Sequence, residues 1–119
     1  LVGTMAFRTE ENRNEWKNIA LPKGMLWGGE PAADLTDGYL QPGLFDIYTE
    51  KPAAHLIRTG VVKQDANGEI HLYNKFWNWE TDNRTVPAIL IYADLMGSGN
   101  SRCLEAAQRI LKNKLRDFE

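Results

Sequence analysis

Glycine and proline residues divide this chain into short segments, and this punctuation limits its fold more than any other feature. The 119 residues include ten glycines and five prolines. Between them lie short stretches of both helical and strand period, a pattern typical of mixed folds. We therefore predict an α+β class: a single small domain over residues 1–119, with a small antiparallel or mixed sheet packed by about four to five helices.

Length and charge exclude several classes of protein. The longest apolar run, residues 88–93, is far shorter than the roughly 20 residues of a membrane span. A net charge of −2 and a pI near 5.7 argue against a strongly basic nucleic-acid coat, so any nucleic-acid contact must be local. Cys103 is the single cysteine, which permits no intrachain disulfide and favours a reducing, cytoplasmic setting. The start at Leu1, without an initiator methionine, suggests a processed or trimmed fragment.

Start and stop signals predict the helices. Thr9, followed by two glutamates, is a typical N-cap for a helix over residues 10–19. Pro31 suits the first position of a helix that ends near Gly38. The same signals predict three further helices, over residues 52–60, 87–96 and 101–118. By periodicity alone, residues 87–96 also fit a buried parallel strand, and the proline at their start favours the helix.

Strand signals lie in the middle of the chain. Residues 44–49 alternate and are rich in aromatic and β-branched side chains. Residues 61–63 and 69–73 flank an Asn67-Gly68 pair, which predicts a β-hairpin. Three aromatic residues follow and are expected to cover the hairpin or the core edge: Phe76, Trp77 and Trp79.

Residues that could support catalysis are sparse. His55 and His71 have no neighbouring Cys or His to complete a metal set. Residues 97–101 resemble a phosphate loop only weakly, and a turn in which Asn100 or Ser101 caps the last helix is the favoured interpretation. The Gly-Ser pair within them also begins nucleotidyltransferase motifs, but the paired carboxylates that such enzymes need do not follow. We therefore predict no enzyme activity, no catalytic residue, no metal and no cofactor.

Two acidic residues need partners. Asp94 lies in an otherwise apolar segment, where an unpaired carboxylate is costly, so we expect it to bond Arg102 or backbone N–H groups. Glu30 follows Gly28 and Gly29, where it could cap a helix or contribute to a site.

The terminal segment is amphipathic. Five apolar residues fall on one face: Leu104, Ala107, Leu111, Leu115 and Phe118. Four basic residues fall on the opposite side and define the basic stripe: Arg102, Arg109, Lys112 and Arg116. The stripe is either a solvated helix surface or a contact for nucleic acid or a partner.

Several segments together resemble one family. Residues 27–33, 36–40 and 48–49, then 76–77, 86–87, 91–96, 99–102 and 105–107, look like the AbiEi-type antitoxins of bacterial type IV toxin–antitoxin systems. The positions that carry this resemblance to the family include Gly28, Gly29, Glu30, Asp94 and Arg102.

The resemblance implies a nonenzymatic antitoxin and transcription-regulator domain that counters a nucleotidyltransferase-type toxin and takes part in phage defence. Such antitoxins carry an N-terminal winged helix that binds their promoter, and no winged helix is recognisable before the matching segment. The chain thus looks like a C-terminal domain, with DNA contact expected only together with the missing winged helix. The alternative is a protein-interaction module of a phage-defence or mobile-element protein without direct nucleic-acid contact.

Overall fold

The computed structural model describes residues 2–77 and 84–114. Its strands are β1 (Gly3–Phe7), β2 (Met25–Gly28), β3 (Phe45–Thr49), β4 (Val62–Gln64) and β5 (Ile70–Asn74). Its helices are α1 (Glu10–Asn14), α2 (Gly29–Asp37), α3 (Ala54–Ile57), α4 (Ala88–Ser98) and α5 (Ser101–Lys114), with a 3₁₀ turn at Trp16–Asn18. The predicted α+β class is confirmed.

The five strands form one mixed sheet in the order β2-β3-β5-β1-β4. β3 and β5 are parallel, and the other neighbouring pairs are antiparallel. Phe45 and Ile47 of β3 lie on one face, where Phe45 contacts Phe7 and Trp16 edge-to-face. The alternate residues, Asp46 and Tyr48, lie on the other face because successive side chains of a strand point to opposite sides.

The predicted hairpin is wrong, because β1 lies between β4 and β5 and pairs with both. The turn before β5 instead crosses the inserted strand: the Asp65 amide donates to the Thr4 carbonyl, and a Cβ on Gly68 would lie 1.9 Å from the Met5 carbonyl oxygen. Neither Asn67 nor Gly68 has the positive φ that a two-residue hairpin turn requires. The glycine is therefore needed for close backbone approach.

The helix predictions fare better, with shifted boundaries. Thr9 caps α1 by accepting from the Asn12 amide, but α1 ends at Asn14 and a 3₁₀ turn replaces its expected second half. α2 ends where Gly38 adopts a left-handed conformation, as its position predicts. Residues 88–98 are helical, which settles the choice between helix and strand in favour of helix.

The last helix also follows its prediction over the described residues. Asn100 is its cap, since its side-chain oxygen accepts from the Cys103 amide. α5 buries Cys103, Ala106, Ala107 and Ile110, so the buried face is centred slightly to one side of the predicted one. Leu115, Arg116 and Phe118, and likewise Trp79, lie outside the described residues.

None of the helices in residues 2–77 and 84–114 combines the length and the apolar character that crossing a bilayer requires.

Candidate functional site

The glycine pair at the junction of β2 and α2 lies at the centre of the candidate site. A Cβ on Gly28 would lie 2.6 Å from the Tyr48 ring, and a Cβ on Gly29 would lie 2.5 Å from the Asp46 carboxylate. Gly29 also has φ +51, a conformation that residues with a side chain rarely adopt. Both glycines therefore allow the polar side chains of β3 to approach the start of α2.

Asp94 reaches the same place from α4. The Tyr48 hydroxyl donates to both carboxylate oxygens of Asp94, at 3.2 and 3.0 Å. The Gly29 backbone N–H donates to this carboxylate as well. Burial raises the pKa of Asp94, while these two hydrogen bonds favour its ionised form and oppose the rise.

Asp46 completes the group, and we call Asp46 and Asp94 the carboxylate cluster. Burial, with added repulsion from Asp94 and Glu30, raises the pKa of Asp46 to about 7. Burial and the nearby Asp94 also raise the pKa of Tyr48, so its hydroxyl stays protonated and able to donate. Within the described part of the chain, no ion pair involves either carboxylate of the cluster.

Glu30 lies one residue further along α2, in a different electrostatic setting. It is 7% exposed. Its Oε1 accepts from the Gly43 amide at 2.9 Å and from Arg102 Nη2 at 3.2 Å. Arg102 also donates from Nη1 to the Gln41 carbonyl at 2.7 Å. Glu30 is thus a buried acceptor with both a backbone and a guanidinium donor.

Asp94 is half-buried, and of the two kinds of partner expected for it, the structure shows the backbone N–H, that of Gly29, and not Arg102. Arg102 lies on the first turn of α5 and bonds α2 and the loop before β3. Asp94 lies on α4 and bonds Tyr48 of β3. The turn between α4 and α5 therefore directs the two side chains to different elements.

The structure brings the five positions named above for the family resemblance together in two adjacent groups. Gly28, Gly29 and Asp94 meet at the carboxylate cluster. Glu30 and Arg102 form the neighbouring ion pair. The first turn of α2 joins the two groups, because it supplies residues to both.

The described members of the basic stripe differ in their surroundings. Arg102 is committed to Glu30 and the Gln41 carbonyl. Arg109 pairs with Asp37 at 3.3 Å, and its guanidinium carbon lies 4.4 Å from the centroid of the Tyr39 ring. Lys112 is exposed, and no ion pair joins it to the described residues.

An apolar patch lies beside the carboxylate cluster. Phe76 is 72% exposed, and Ile89 on α4 is 45% exposed. They line a small groove together with Trp77, Pro87, Leu90 and Ala93. The ring of Tyr48 contacts Phe76 and Trp77, so the same tyrosine borders both the groove and the carboxylates. Trp77 is buried at the core edge, as predicted, whereas Phe76 covers little.

Sequence reasoning did not single out Asp46, and it noted Tyr48 only within the family resemblance. The usable signal was the period of two: in a strand whose other face is apolar, they occupy alternate positions on one face. Their approach to Gly28 and Gly29 has no such local signal. In the described residues, no three or more His, Cys, Asp or Glu side chains are grouped so that they could hold a metal ion.

Comparison with known proteins adds the family. Residues 3–116 match the family described as "Transcriptional regulator, AbiEi antitoxin, Type IV TA system". The chain is also 34% identical over 87 residues to the CCR4-Not complex 3'-5'-exoribonuclease subunit Ccr4 of Coccidioides immitis (strain RS), a match covering 71% of this chain but 11% of that protein. No solved structure matches.

Proposed function

Because this chain belongs to the AbiEi antitoxin family of transcriptional regulators, we propose that it is the C-terminal domain of an antitoxin that counters a nucleotidyltransferase-type toxin without catalysis of its own. The observation that carries the proposal is the extent of the match, which runs over residues 3–116 and includes every helix and strand described above. An antitoxin role implies a toxin as the functional partner.

The chemistry of the carboxylate cluster supports a regulatory role. Metal-dependent phosphoryl transfer relies on ionised carboxylates that hold cations. Asp46, with its pKa near 7, is only partly ionised at neutral pH. Asp94 already accepts from the Tyr48 hydroxyl and the Gly29 amide. Both side chains are thus better suited to fixing α2 and α4 against β3 than to holding a cation.

We propose that this domain makes only an auxiliary contact with DNA. Arg102 and Arg109 already have acidic partners, which leaves Lys112 as the least committed described member of the basic stripe. A few such contacts give weak, sequence-independent and salt-dependent affinity for phosphates. We therefore place promoter recognition in a winged helix and give the stripe a supporting role.

A co-expression experiment tests the proposal. Cells that express a nucleotidyltransferase encoded beside the antitoxin gene should stop growing, and full-length antitoxin that includes this chain should restore growth. Full-length antitoxin without residues 1–119 should still bind promoter DNA but fail to restore growth. If antitoxin that lacks residues 1–119 restored growth, this would contradict the proposal that this chain counters the toxin.

The basic stripe needs its own variant. Changing Arg109, Lys112 and Arg116 to Gln in the full-length antitoxin should weaken promoter repression. The salt dependence of DNA binding should also fall, by about one unit of slope for each phosphate that is no longer bound. Repression equal to that of the unchanged protein would make the stripe a solvated surface.

The apolar patch favours a second function, that of a protein-interaction module without nucleic-acid contact. Exposed apolar side chains that lie together often mark a binding surface, and Phe76 and Ile89 are such a pair. If this chain is such a module, changing both to Ser should abolish rescue from the toxin, whereas the triple change in the basic stripe should leave promoter repression intact. Leu44→Ser is the matched control, because Leu44 is equally apolar and 47% exposed but does not line this groove.

A further inference from the structure

A polar cleft beside the ion pair of Glu30 and Arg102 has the features of an anion site. It opens between α1, the start of β3 and the first turn of α5, and its volume is about 680 Å³. Two arginines from distant parts of the chain, Arg13 and Arg102, line it together with Gln41, Trp16 and Phe45. Small-molecule sites in proteins commonly have a volume of about 300–1,000 Å³.

Arg102 is held in place before any ligand arrives. Its guanidinium donates to the Gln41 carbonyl and to Glu30, and Glu30 is itself fixed by the Gly43 amide. The arginine side chain is nevertheless 50% exposed. A guanidinium has five N–H donors in a rigid fork, and two of them are used here within the described residues. The remaining donors are therefore available to an acceptor in the cleft at little cost in side-chain ordering.

Arg13 is held more loosely. Its ion pair with Glu69 has a length of 4.0 Å, at the limit for such a contact, and its side chain is 42% exposed. The guanidinium carbon lies 5.7 Å from the centroid of the Phe45 ring, which favours the cation at this position. Because exposed ion pairs of this kind are weak, an anion in the cleft can compete with Glu69 for Arg13.

The donors of the lining suit a compact anion. The cleft is lined by two arginines and one carboxylate, that of Glu10, while the carboxylates of Glu30 and Glu69 pair with the arginines from outside the lining. A phosphate matches the planar fork of arginine with paired hydrogen bonds. We propose that this cleft binds the phosphate of a nucleotide-sized ligand, with Arg13 and Arg102 as its two cationic contacts. The proposal does not depend on the antitoxin role.

Calorimetric titration of the whole chain tests it, with inorganic phosphate, 5′-AMP and a ten-nucleotide single strand as separate probes. We expect saturable binding of 5′-AMP, tighter than that of inorganic phosphate. Arg13→Gln should weaken it about tenfold, the effect of losing a charge-assisted hydrogen bond. Arg58→Gln is the matched control, because Arg58 is also an exposed arginine but neither lines the cleft nor belongs to the basic stripe. Its affinity should equal that of the unchanged chain.

Two further arms keep the test decisive. Arg102→Lys keeps the charge but loses the fork, so it should also weaken binding, and a melting curve shows whether it folds. If the single strand binds more tightly and with a steeper salt dependence than 5′-AMP, and Arg13→Gln weakens both, the phosphate belongs to a nucleic acid; equal affinities indicate a free nucleotide. No binding of any probe at millimolar concentration, or equal affinity in Arg13→Gln, would overturn the proposal.

Discussion

Two acidic regions lie on either side of the first turn of α2, and the fold gives their carboxylates opposite electrostatic surroundings. Glu30 is the more deeply buried, yet its carboxylate accepts from a backbone amide and from Arg102. Asp46 keeps more contact with solvent, yet burial and two neighbouring carboxylates raise its pKa to about 7. The two carboxylates differ in their partners as well as in their depth: Glu30 has two hydrogen-bond donors, whereas Asp46 faces the further carboxylates of Asp94 and Glu30.

The largest effect should come from removing the space that the carboxylate cluster requires. In Gly28→Ala, the new methyl group would press on the Tyr48 ring, which is itself packed between Tyr73 and Trp77. We expect a loss of about 3 kcal/mol in the free energy of unfolding, measured by urea titration. Gly97→Ala is the control, because it lies on α4 with open space around it. That change should be neutral or stabilising, and equal losses would contradict the crowding argument.

Substituting Glu30 should destabilise the protein more than substituting a surface carboxylate. Glu30→Ala leaves the Gly43 amide without its acceptor and Arg102 without its anion. We expect a loss of about 2 kcal/mol in the free energy of unfolding. Glu30→Gln keeps a carbonyl acceptor of the same size and should lose clearly less. If the two variants are equally destabilised, the hydrogen bonds to Oε1 contribute little.

Substituting Asp46 should raise the free energy of unfolding, whereas substituting Glu30 should lower it. Its folded pKa of about 7 exceeds the ordinary value of 3.8, so between these values the folded state binds more protons than the unfolded state. Stability from this group is therefore present at low pH and is lost as the pH rises toward 7. Asp46→Asn removes this pH-dependent loss and should raise the free energy of unfolding by about 1–2 kcal/mol at pH 8. Partial contact of Asp46 with solvent keeps the gain moderate.

The pH series contains its own control. At about pH 3, below both pKa values, Asp46 is mostly protonated in the folded and the unfolded state, so the gain of Asp46→Asn should be close to zero there. A gain of the same size at this low pH and at pH 8 would point to packing, and a loss at pH 8 would mean that Asp46 is stabilised in its charged form.

The smallest effects belong to the basic stripe. Arg109→Gln removes an exposed pair with Asp37 and a contact with the Tyr39 ring, which should cost less than about 1 kcal/mol. Lys112→Gln should change the free energy of unfolding by less than about 0.5 kcal/mol. If Arg109→Gln lowered the free energy of unfolding as much as Glu30→Ala does, burial would add nothing to the stabilisation that a pair of an arginine and a carboxylate provides.

Local signals were sufficient for much of the fold. A proline near the start and a glycine near the end located α2 and α4, apolar periodicity and a capping signal located α5, and an alternating run located β3. These signals act within one or two helical turns, so they survive whatever the rest of the chain does. β1 was missed because its residues, Gly3–Phe7, have weak strand preference, and its pairing with β4 and β5 spans some 60 residues.

The candidate site was predicted only in part. Glu30, Asp94 and Arg102 were recognised as residues that need partners, but Asp94 pairs with Tyr48 and Arg102 with Glu30. The tyrosine lies 46 residues from the aspartate, and the arginine lies 72 residues from the glutamate. No spacing rule reaches that far, since such pairs depend on how helices pack on the sheet.

By itself, the sequence determined the α+β class, the main helices and the family of the protein, and it narrowed the cap of α5 to Asn100 or Ser101, because period, capping and motif are properties of neighbouring residues. Only the tertiary structure decided the strand order, the partner of each buried carboxylate and the placing of Arg13 and Arg102 in one cleft. The physical reason is that pairing and desolvation energies depend on distances in space, which the strand order and the packing of the helices on the sheet set without leaving a local signature.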